Sequence, residues 1–427
     1  MDRDQHIQML TAEAVDLLRD IVAIPSPSFS ESAVCDFISG WMDERGLKHE
    51  RIGNNIVSEH IADPSGPTLM LCAHMDTVSP AEGYDFDPYD PHYDVAADVI
   101  SAMTGMEVGP DDIVAGLGSN DDGASLVSML AAYRFICCND NTSKENCGGR
   151  SGIPNDPSHF VGPSPCGQGG STVLDTAPAS ASSWSENATS NVILVLTCEE
   201  ERSGKNGMTG LWGRRICSRN EAAEGCTPVD FAIVGEPTGM MAATAERGLL
   251  VIDATAHGVS GHAARNEGVN ALYIALEDIQ KIKTHEFGRI SQRMGKVNLN
   301  VTQINAGTAH NVIPDRCDFV VDIRPTEQYT NEELLQELQA ICSSELKPRN
   351  LANRSSATFT DSPLQKRAEE LGIATYSSPT TSDWMRITCD AIKMGPGESS
   401  RSHRKNEFVF VEEIRTAIEQ YIKFINL

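Results

Sequence analysis

The sequence predicts an α/β protein with a mostly parallel central sheet and a second, smaller α+β domain. Short apolar runs at residues 192–196 and 231–234 are bounded by polar segments and alternate with helical patterns, as buried strands of a parallel sheet do. The chain has 427 residues, which is long for a single core. From Gly248 to about residue 356 the pattern becomes strand, helix, two strands, helix and strand, which is typical of a ferredoxin-like unit. The sequence therefore indicates two domains.

The smaller unit interrupts the larger one. We expect residues 1–246 and 357–427 to form the main domain, and residues 247–356 to form an inserted lid. Two further stretches look like insertions. Residues 95–112 belong to a surface excursion rich in Tyr, Asp and Pro, and residues 139–188 are dominated by Gly, Ser, Pro, Asn and Thr without periodicity. We expect the second stretch to be disordered.

The elements of the main domain follow from apolar spacing and from the residues that bound each segment. Apolar side chains recur at helical spacing from Asp4, and this helix should end before Pro25. Ser30 can start a second helix. The expected elements before the lid are helix 4–23, helix 30–46, strand 55–61, strand 69–73, helix 124–135, strand 192–196, a turn at 204–207 into a helix, and strand 231–234.

The lid and the final segment show the same two periodicities. Residues 296–303 and 317–323 alternate between apolar and polar side chains, as half-buried strands do. The expected lid elements are strand 249–256, helix 270–283, strands 296–303 and 317–323, helix 331–346 and strand 350–356. The chain then returns to the main domain with helix 364–371, helix 383–388, strand 391–394 and helix 411–425.

The charge balance excludes some classes of partner. The chain carries 34 basic and 60 acidic side chains, a formal net charge of -26. Such a surface repels nucleic acid and anionic membranes. We therefore expect neither as a partner, and a cationic or metal-bound ligand would suit the charge.

Two features suggest a cytoplasmic protein. The first ten residues lack the apolar stretch of a secretory signal, and no apolar run approaches the roughly 20 residues that span a bilayer. The twelve cysteines are scattered without a Cys-x-x-Cys pair. Free thiols in a reducing compartment are expected, rather than a disulfide framework or a zinc ribbon.

Potential metal ligands follow several of the expected strands. His74 and Asp76 come directly after strand 69–73, residues 199–201 are three consecutive glutamates after strand 192–196, and Glu236 follows strand 231–234. Because the carboxyl ends of parallel strands meet at one edge of a sheet, we expect these side chains to lie close together. Alternation along the strand lets Asp76 accept a hydrogen bond from one ring nitrogen of His74, which leaves the other nitrogen for a metal.

Two more candidates lie outside the strand ends. Asp121 ends a glycine-rich turn before helix 124–135, and His403 follows strand 391–394. The turn lacks the lysine of a phosphate-binding loop, and Asp121 with Asp122 would repel phosphate, so a cation suits it better.

Each candidate alone also has a plain structural interpretation. Three acidic residues in a row often form a solvated turn, and a lone histidine at a strand end is often a satisfied polar residue. Taken together, two imidazoles and several carboxylates suit a pair of divalent ions about 3.5 to 4 Å apart, bridged by one aspartate. Nitrogen and oxygen ligands without thiolate indicate zinc, with cobalt or manganese as possible substitutes.

The order of these motifs resembles a known family. The chain contains Gly-x-Gly-x-x-Asp, Glu-Glu-Glu, Gly-Glu-Pro-Thr, Gly-His-Ala-Ala and a late Gly-Pro-Gly followed by His403 and Asn-Glu. This series resembles the dinuclear zinc amidohydrolases that include acetylornithine deacetylase, succinyl-diaminopimelate desuccinylase, aminoacylase and carboxypeptidase G. The resemblance covers nearly the whole chain except residues 95–112 and 139–188. The short motifs are most similar to those of the acetylornithine deacetylase branch.

The resemblance implies a role for each candidate. Asp121 would bridge two zinc ions, Asp76 would orient His74, and Glu200 would be the general base. His262 would stabilise the oxyanion from the partner subunit of a homodimer, with the lid as the dimerisation domain. The implied ligand sets are His74 and Glu236 on one ion and Glu201 and His403 on the other, and the implied substrate-carboxylate residues are Asn311 and Arg324.

The chain departs from the family pattern at two places. The chain has Asp121-Asp122-Gly123 where many relatives carry Asp-x-Lys-Gly, so the residue after the implied bridging aspartate is acidic. Ser402 precedes His403 where a small apolar residue is common. Neither departure removes a ligand, although both blur the substrate.

The resemblance thus implies a zinc-dependent amidohydrolase of arginine biosynthesis that removes an acetyl or succinyl group from the α-amino nitrogen of ornithine or a related amino acid. A dipeptidase, an aminoacylase or a succinyl-diaminopimelate desuccinylase would share the metal chemistry. A non-catalytic binding protein on the same fold is the alternative from another class.

Overall fold

The computed structural model describes residues 3–139, 191–265 and 267–425. Apart from its first residue, the insertion expected at 139–188 lies outside these ranges. None of the described helices is both long enough and apolar enough to cross a membrane. The helices in the described ranges are α1 (Arg3–Val22), α2 (Ser32–Glu44), α3 (Tyr93–Thr104), α4 (Ala124–Asn139), α5 (Met208–Leu211), α6 (Ala271–Thr284), α7 (Asn331–Ile341), α8 (Pro363–Glu370) and α9 (Val411–Ile425).

The strands in these ranges form one large sheet, a four-stranded lid sheet and short two-stranded ladders. They are β1 (Glu50–Ile52), β2 (Asn55–His60), β3 (Thr68–His74), β4 (Ile113–Ala115), β5 (Asn191–Thr197), β6 (Ile216–Ser218), β7 (Thr227–Val229), β8 (Phe231–Val234), β9 (Ala242–Glu246), β10 (Leu250–His257), β11 (Gly261–His262), β12 (Asn298–Ala306), β13 (Val312–Ile313), β14 (Arg316–Arg324), β15 (Glu345–Pro348), β16 (Ser356–Ala357), β17 (Thr375–Ser378), β18 (Asp390–Lys393) and β19 (Phe408–Phe410).

The large sheet has parallel strands at its centre, which confirms the predicted fold class. Its order is β1-β2-β5-β3-β8-β18-β9-β16, with β17 paired to β9. Strands β5, β3, β8 and β18 run parallel to one another, and β1, β2 and β16 join by antiparallel pairing. All seven residues of β3 and of β5 are buried, because both faces of the sheet are covered.

The two faces of the sheet contribute to two different cores. Along β3, Leu69 and Leu71 pack with the helices α1, α4 and α9. The alternate residues Met70 and Cys72 pack on the opposite face with Trp384 and the short helix α5. This period-2 division explains why the central strands are continuous apolar runs rather than alternating ones.

The lid is an antiparallel sheet in the order β12-β14-β10-β15. Residues of β10 alternate between buried and partly exposed, because α6 and α7 cover only one face. Each lid helix begins with a side-chain cap: Asn270 accepts from the backbone of α6, and Thr330 and Glu333 form a capping box on α7. The α+β character expected for this region is confirmed.

The prediction of a lid strand at residues 350–356 is wrong. The fourth lid strand is β15, and Ser356 instead pairs with Glu246 in the large sheet. Helix α7 ends earlier than expected because Asp278 of α6 accepts hydrogen bonds from the backbone N–H groups of Ser343 and Ser344. These contacts turn the chain out of the helix before β15.

The surface excursion, residues 81–112, includes a helix that the sequence did not predict. It contains α3, whose Ala96, Ala97 and Ile100 are buried in a small core with Phe86 and Phe408. Spacing of these small and apolar residues at helical intervals explains the helix, since their shared face has a partner in β4 and β19.

Candidate metal centre

Three strand ends converge at one edge of the large sheet. His74 is the last residue of β3 and lies opposite Thr197, the last residue of β5. On the other side, Cys72 of β3 lies opposite Val234, the last residue of β8. The side chains that follow β5 and β8 therefore emerge beside His74, as the sequence predicted.

The acidic residues form two groups around His74. One ligand atom each from His74, Glu200 and Glu236 lie within 4.8 Å of one another, and the same holds for His74, Asp121 and Glu201. Glu200 and Glu201 lie in a short 3-10 turn that follows β5 directly. The structure thus brings together five of the predicted site residues.

Asp121 lies between the two histidines. Its Oδ1 is 3.3 Å from His74 Nε2, and its Oδ2 is 3.7 Å from His403 Nε2. His403, on the loop after β18, is also 3.0 Å from Glu201 Oε1. One carboxylate with an oxygen toward each imidazole is the arrangement that a ligand bridging two ions requires.

Asp76 orients His74 by a different route from the one expected. His74 Nδ1 donates to the backbone carbonyl of Asp76 at 2.8 Å, while the Asp76 carboxylate is 3.5 Å away. This contact leaves Nε2 facing Asp121 Oδ1. The buried carboxylate of Asp76 accepts instead from Ser28 Oγ and from the backbone N–H groups of Glu200 and Glu201. Asp76 therefore positions the glutamate turn as well as the imidazole.

The three consecutive glutamates differ in their surroundings. Glu199 points away from the other two and accepts from the backbone and side chain of Asn206. Gly204 lies so close to Glu199 that an added Cβ would collide with its carboxylate. Glu200 and Glu201 face the histidines. Only two members of the triplet are thus available to a ligand.

Burial and mutual repulsion perturb the acids of the site. Burial, reinforced by the neighbouring carboxylates, raises the pKa of Glu200 and of Glu236 well above the ordinary value. Burial lowers the pKa of His74, but hydrogen bonds to Asp121 and Asp76 outweigh it and raise that pKa well above its usual range.

His403 shows the same effect more simply. Its hydrogen bond to Glu201 raises the pKa of the imidazole to about 9. Both imidazoles thus lie where the surrounding carboxylates favour a positive charge. Imidazole nitrogens and carboxylate oxygens are ligands that divalent zinc accepts, so the residues present fit a pair of such ions.

The predicted lid residues lie apart from this cluster. His262 is exposed and its Nδ1 accepts from Ala264 N, and within the described residues it makes no contact with the acidic cluster. Asn311 is exposed beside it, since its carbonyl accepts from Ala263 N. Arg324 lies at the opposite end of β14, where its guanidinium makes two hydrogen bonds to Asp322.

Sequence reasoning missed several residues that hold the site together. Glu407 is almost fully buried, and its Oε1 accepts from the backbone N–H groups of Gly118, Asn120 and Asp121. Asp383 is buried and accepts from Thr197 Oγ1, and burial raises its pKa to about 6. The Asn-Glu pair after His403 was a visible signal for Glu407, but its role depends on a distant turn.

The chain is similar to known proteins in sequence and in fold. A peptidase dimerisation domain matches residues 244–350, which is most of the lid. Acetylornithine deacetylase of Myxococcus xanthus is 26% identical over 52% of this chain and 61% of its own length. The chain thus matches less than two thirds of that relative. Succinyl-diaminopimelate desuccinylase of Anaplasma marginale is 22% identical over 97% of this chain and 96% of its own length.

A solved structure shares the fold. A dinuclear metal-binding peptidase of the M20 family from Bacillus subtilis superposes with a TM-score of 0.61 at 13% identity, over 98% of each chain. The chain therefore has the fold of a dinuclear metal-binding M20 peptidase, and most of its lid matches a peptidase dimerisation domain.

Proposed function

We propose that this protein hydrolyses the amide bond of an N-acyl amino acid with two bound divalent ions. The proposed substrate is N2-acetylornithine or N2-succinylornithine, and the products are ornithine and the carboxylic acid, as in arginine biosynthesis. One observation carries the proposal: Asp121 presents one oxygen to each of two histidines, next to the largely buried carboxylate of Glu200. The deacetylase and desuccinylase relatives support the substrate class.

The residues divide into two ligand sets that share Asp121. His74 and Glu236 would hold one ion, and Glu201 and His403 would hold the other. Zinc is the proposed metal, with cobalt or manganese as substitutes. Such ions, when bound, polarise a substrate carbonyl and lower the pKa of water.

Glu200 is the proposed proton carrier. Its Oε2 lies 4.0 Å from His74 Nε2, and its backbone N–H is fixed by Asp76. Burial raises its pKa well above that of an exposed glutamate, so its carboxylate can take a proton from water and pass it to the leaving amine. Fixing the backbone keeps Oε2 beside His74.

The lid geometry supports a homodimer in which substrate contacts come from two subunits. Strand β10 leaves the hinge at Leu250 and ends at His257, and β14 runs back antiparallel beside it. His262 and Asn311 follow the far end, whereas Arg324 lies near the hinge, where its carbonyl accepts from Arg247. At 3.4 Å per residue, the two ends are about 24 Å apart. We therefore propose that His262 and Asn311 serve the partner's site, with Arg324 serving its own.

A second candidate is a peptidase or aminoacylase with the same metal chemistry. The fold shared with a metal-binding peptidase favours it. In the structure Arg324 is paired to Asp322, so a substrate carboxylate would have to displace or share that contact. The substrate that the protein hydrolyses therefore distinguishes the two candidate functions.

A substrate panel with metal control tests the proposal. Zinc-loaded protein would be assayed with N-acetylornithine, N-succinylornithine, N-acetylcitrulline and dipeptides, before and after complete chelation. We expect hydrolysis of an N-acylornithine that is lost on chelation and restored by zinc. Activity that survives metal removal contradicts the mechanism, and preference for dipeptides selects the second candidate.

A further inference from the structure

The segment at residues 81–112 packs against the loop that carries His403. The backbone N–H of Asp85 donates to Asn406 Oδ1 at 2.9 Å, and Asn406 Nδ2 donates to Asp85 Oδ2 at 2.6 Å. Lys405 Nζ donates to the same carboxylate oxygen at 3.0 Å. Two adjacent residues of the histidine loop are therefore bound to one aspartate of the segment.

Asn406 depends on this segment for its buried polar groups. It is only 2% exposed, and its amide nitrogen also lies 3.5 Å from the sulfur of Met103 on α3. A buried amide that loses its partners carries a desolvation cost of about 1 to 3 kcal/mol. The segment thus supplies the partners that keep Asn406 in place.

The histidine loop has a backbone that needs external support. His403 has φ 57° and Asn406 has φ 60°, both in the left-handed region. Residues other than glycine persist there when surrounding contacts fix them. The hydrogen bonds between Asp85 and Asn406 are contacts of this kind, and Asn406 lies three residues after His403.

The other side of the histidine loop is bound to the turn that ends in Asp121. Glu407, directly after Asn406, accepts three backbone N–H groups of the turn that ends in Asp121, at 3.0 to 3.1 Å. The segment, the histidine loop and the Asp121 turn therefore form one continuous set of hydrogen bonds. A shift of Asn406 would be passed to His403 and, through Glu407, to Asp121.

We propose that the segment at 81–112 is a brace for the ion held by Glu201 and His403, with Asp85 and Asn406 as positioning residues. This inference rests on the proposed function for the identity of the ligands. His74 and Glu236 lie at strand ends that the segment does not contact through these hydrogen bonds. The ion that they would hold is connected to the segment only through the shared Asp121, so it depends less on the segment.

Metal affinity in variants tests the brace. Asp85→Ala and Asn406→Ala remove the contact, Asp85→Asn keeps one acceptor oxygen, and Asp98→Ala removes a charge from the exposed face of α3 as a control. Zinc would be removed by graded chelator competition, and cobalt-loaded protein would be followed by its visible absorption. We expect one of two metal equivalents to weaken about tenfold or more in both alanine variants. The other equivalent should weaken less, because Asp121 is its only ligand that is connected to the segment through Glu407. Asp85→Asn should recover part of the loss, and Asp98→Ala should have no effect.

Thermal unfolding of the metal-free variants separates the brace from simple instability. If Asn406→Ala does not fold, Asp85→Ala decides, because Asp85 is half exposed and its backbone contact remains. Two wild-type metal affinities in folded Asp85→Ala overturn the inference and leave the proposed function intact. A wild-type protein that binds no pair of ions overturns both.

Discussion

The acidic triplet shows how one residue type takes three roles within a single turn. Glu199 accepts hydrogen bonds from Asn206, Glu200 lies beside His74, and Glu201 contacts His403. The sequence could predict the cluster, because it follows a buried strand. It could not predict which glutamate takes which role, since that depends on the hydrogen bonds from the backbone of Glu200 and Glu201 to Asp76.

The triplet gives a kinetic prediction. Glu200→Gln removes the proton carrier and should lower kcat by about 10² to 10⁴ with metal content unchanged. Glu199→Gln keeps an acceptor for Asn206 and should cost about 1 kcal/mol of stability with kcat near wild type. Steady-state kinetics, metal analysis and urea unfolding of both variants check this. Equal losses of turnover in the two variants would refute the assigned division.

Sequence reasoning missed the residues whose roles depend on hydrogen bonds between distant loops. His74, Glu201 and Glu236 could be anticipated because strands place them, whereas Glu407 is defined by hydrogen bonds to a turn about 290 residues earlier. Asn406 likewise bonds to Asp85 across 321 positions. No local pattern encodes such pairings, because loop partners are chosen by the folded surroundings.

At the scale of elements, local helix propensity does not predict the structure of a segment that is buried in the large sheet. Strand β9 has the sequence Ala-Ala-Thr-Ala-Glu, which favours a helix, yet all five residues are buried in the large sheet. Pairing with β16, β17 and β18 overrides that preference. Long periodic elements such as α1, α9 and β5 matched expectation within a few residues, because their apolar faces are unambiguous.

Strand β9 ends in a buried ion pair that gives a stability prediction. Glu246 Oε2 lies 3.2 Å from Lys393 Nζ of β18, and neither side chain is exposed by more than 1%. Lys393→Met leaves the glutamate buried without its cation and should cost about 3 to 5 kcal/mol. Adding Glu246→Gln should recover most of this loss. Urea unfolding that places Lys393→Met within about 1 kcal/mol of wild type would contradict the prediction.

At the scale of the whole molecule, the metal-free protein should lose stability as pH rises. Burial raises the pKa of Glu407 to about 8 and that of Asp122 to about 7, and Glu201 raises that of His403 to about 9. These groups bind protons more tightly folded than unfolded. Their contribution is therefore complete below the unfolded pKa and is lost as pH passes the folded pKa.

The measurement is thermal unfolding between about pH 6 and about pH 8.5, with and without zinc. The melting temperature of the metal-free protein should fall across this window, and the stabilisation by zinc should grow, because bound metal replaces the protons. A metal-free melting temperature that rises with pH would contradict the prediction.

The proposed dimer makes a prediction about shared sites. His262→Ala should lower kcat by about 10² to 10³ through loss of oxyanion stabilisation. When this variant is mixed and reassembled with Glu200→Gln, half of the dimers are mixed and each has one intact site, so about a quarter of wild-type activity should return. No recovery on verified subunit exchange would show that His262 acts within its own subunit.

Anomalous scattering at the zinc edge, from crystals of the zinc-loaded protein, is the most direct test of the metal centre. The account predicts two peaks about 3.5 to 4 Å apart. Asp121 would lie between them, with His74 and Glu236 at one peak and Glu201 and His403 at the other. No peak at this edge of the sheet, or a single peak away from Asp121, would contradict it.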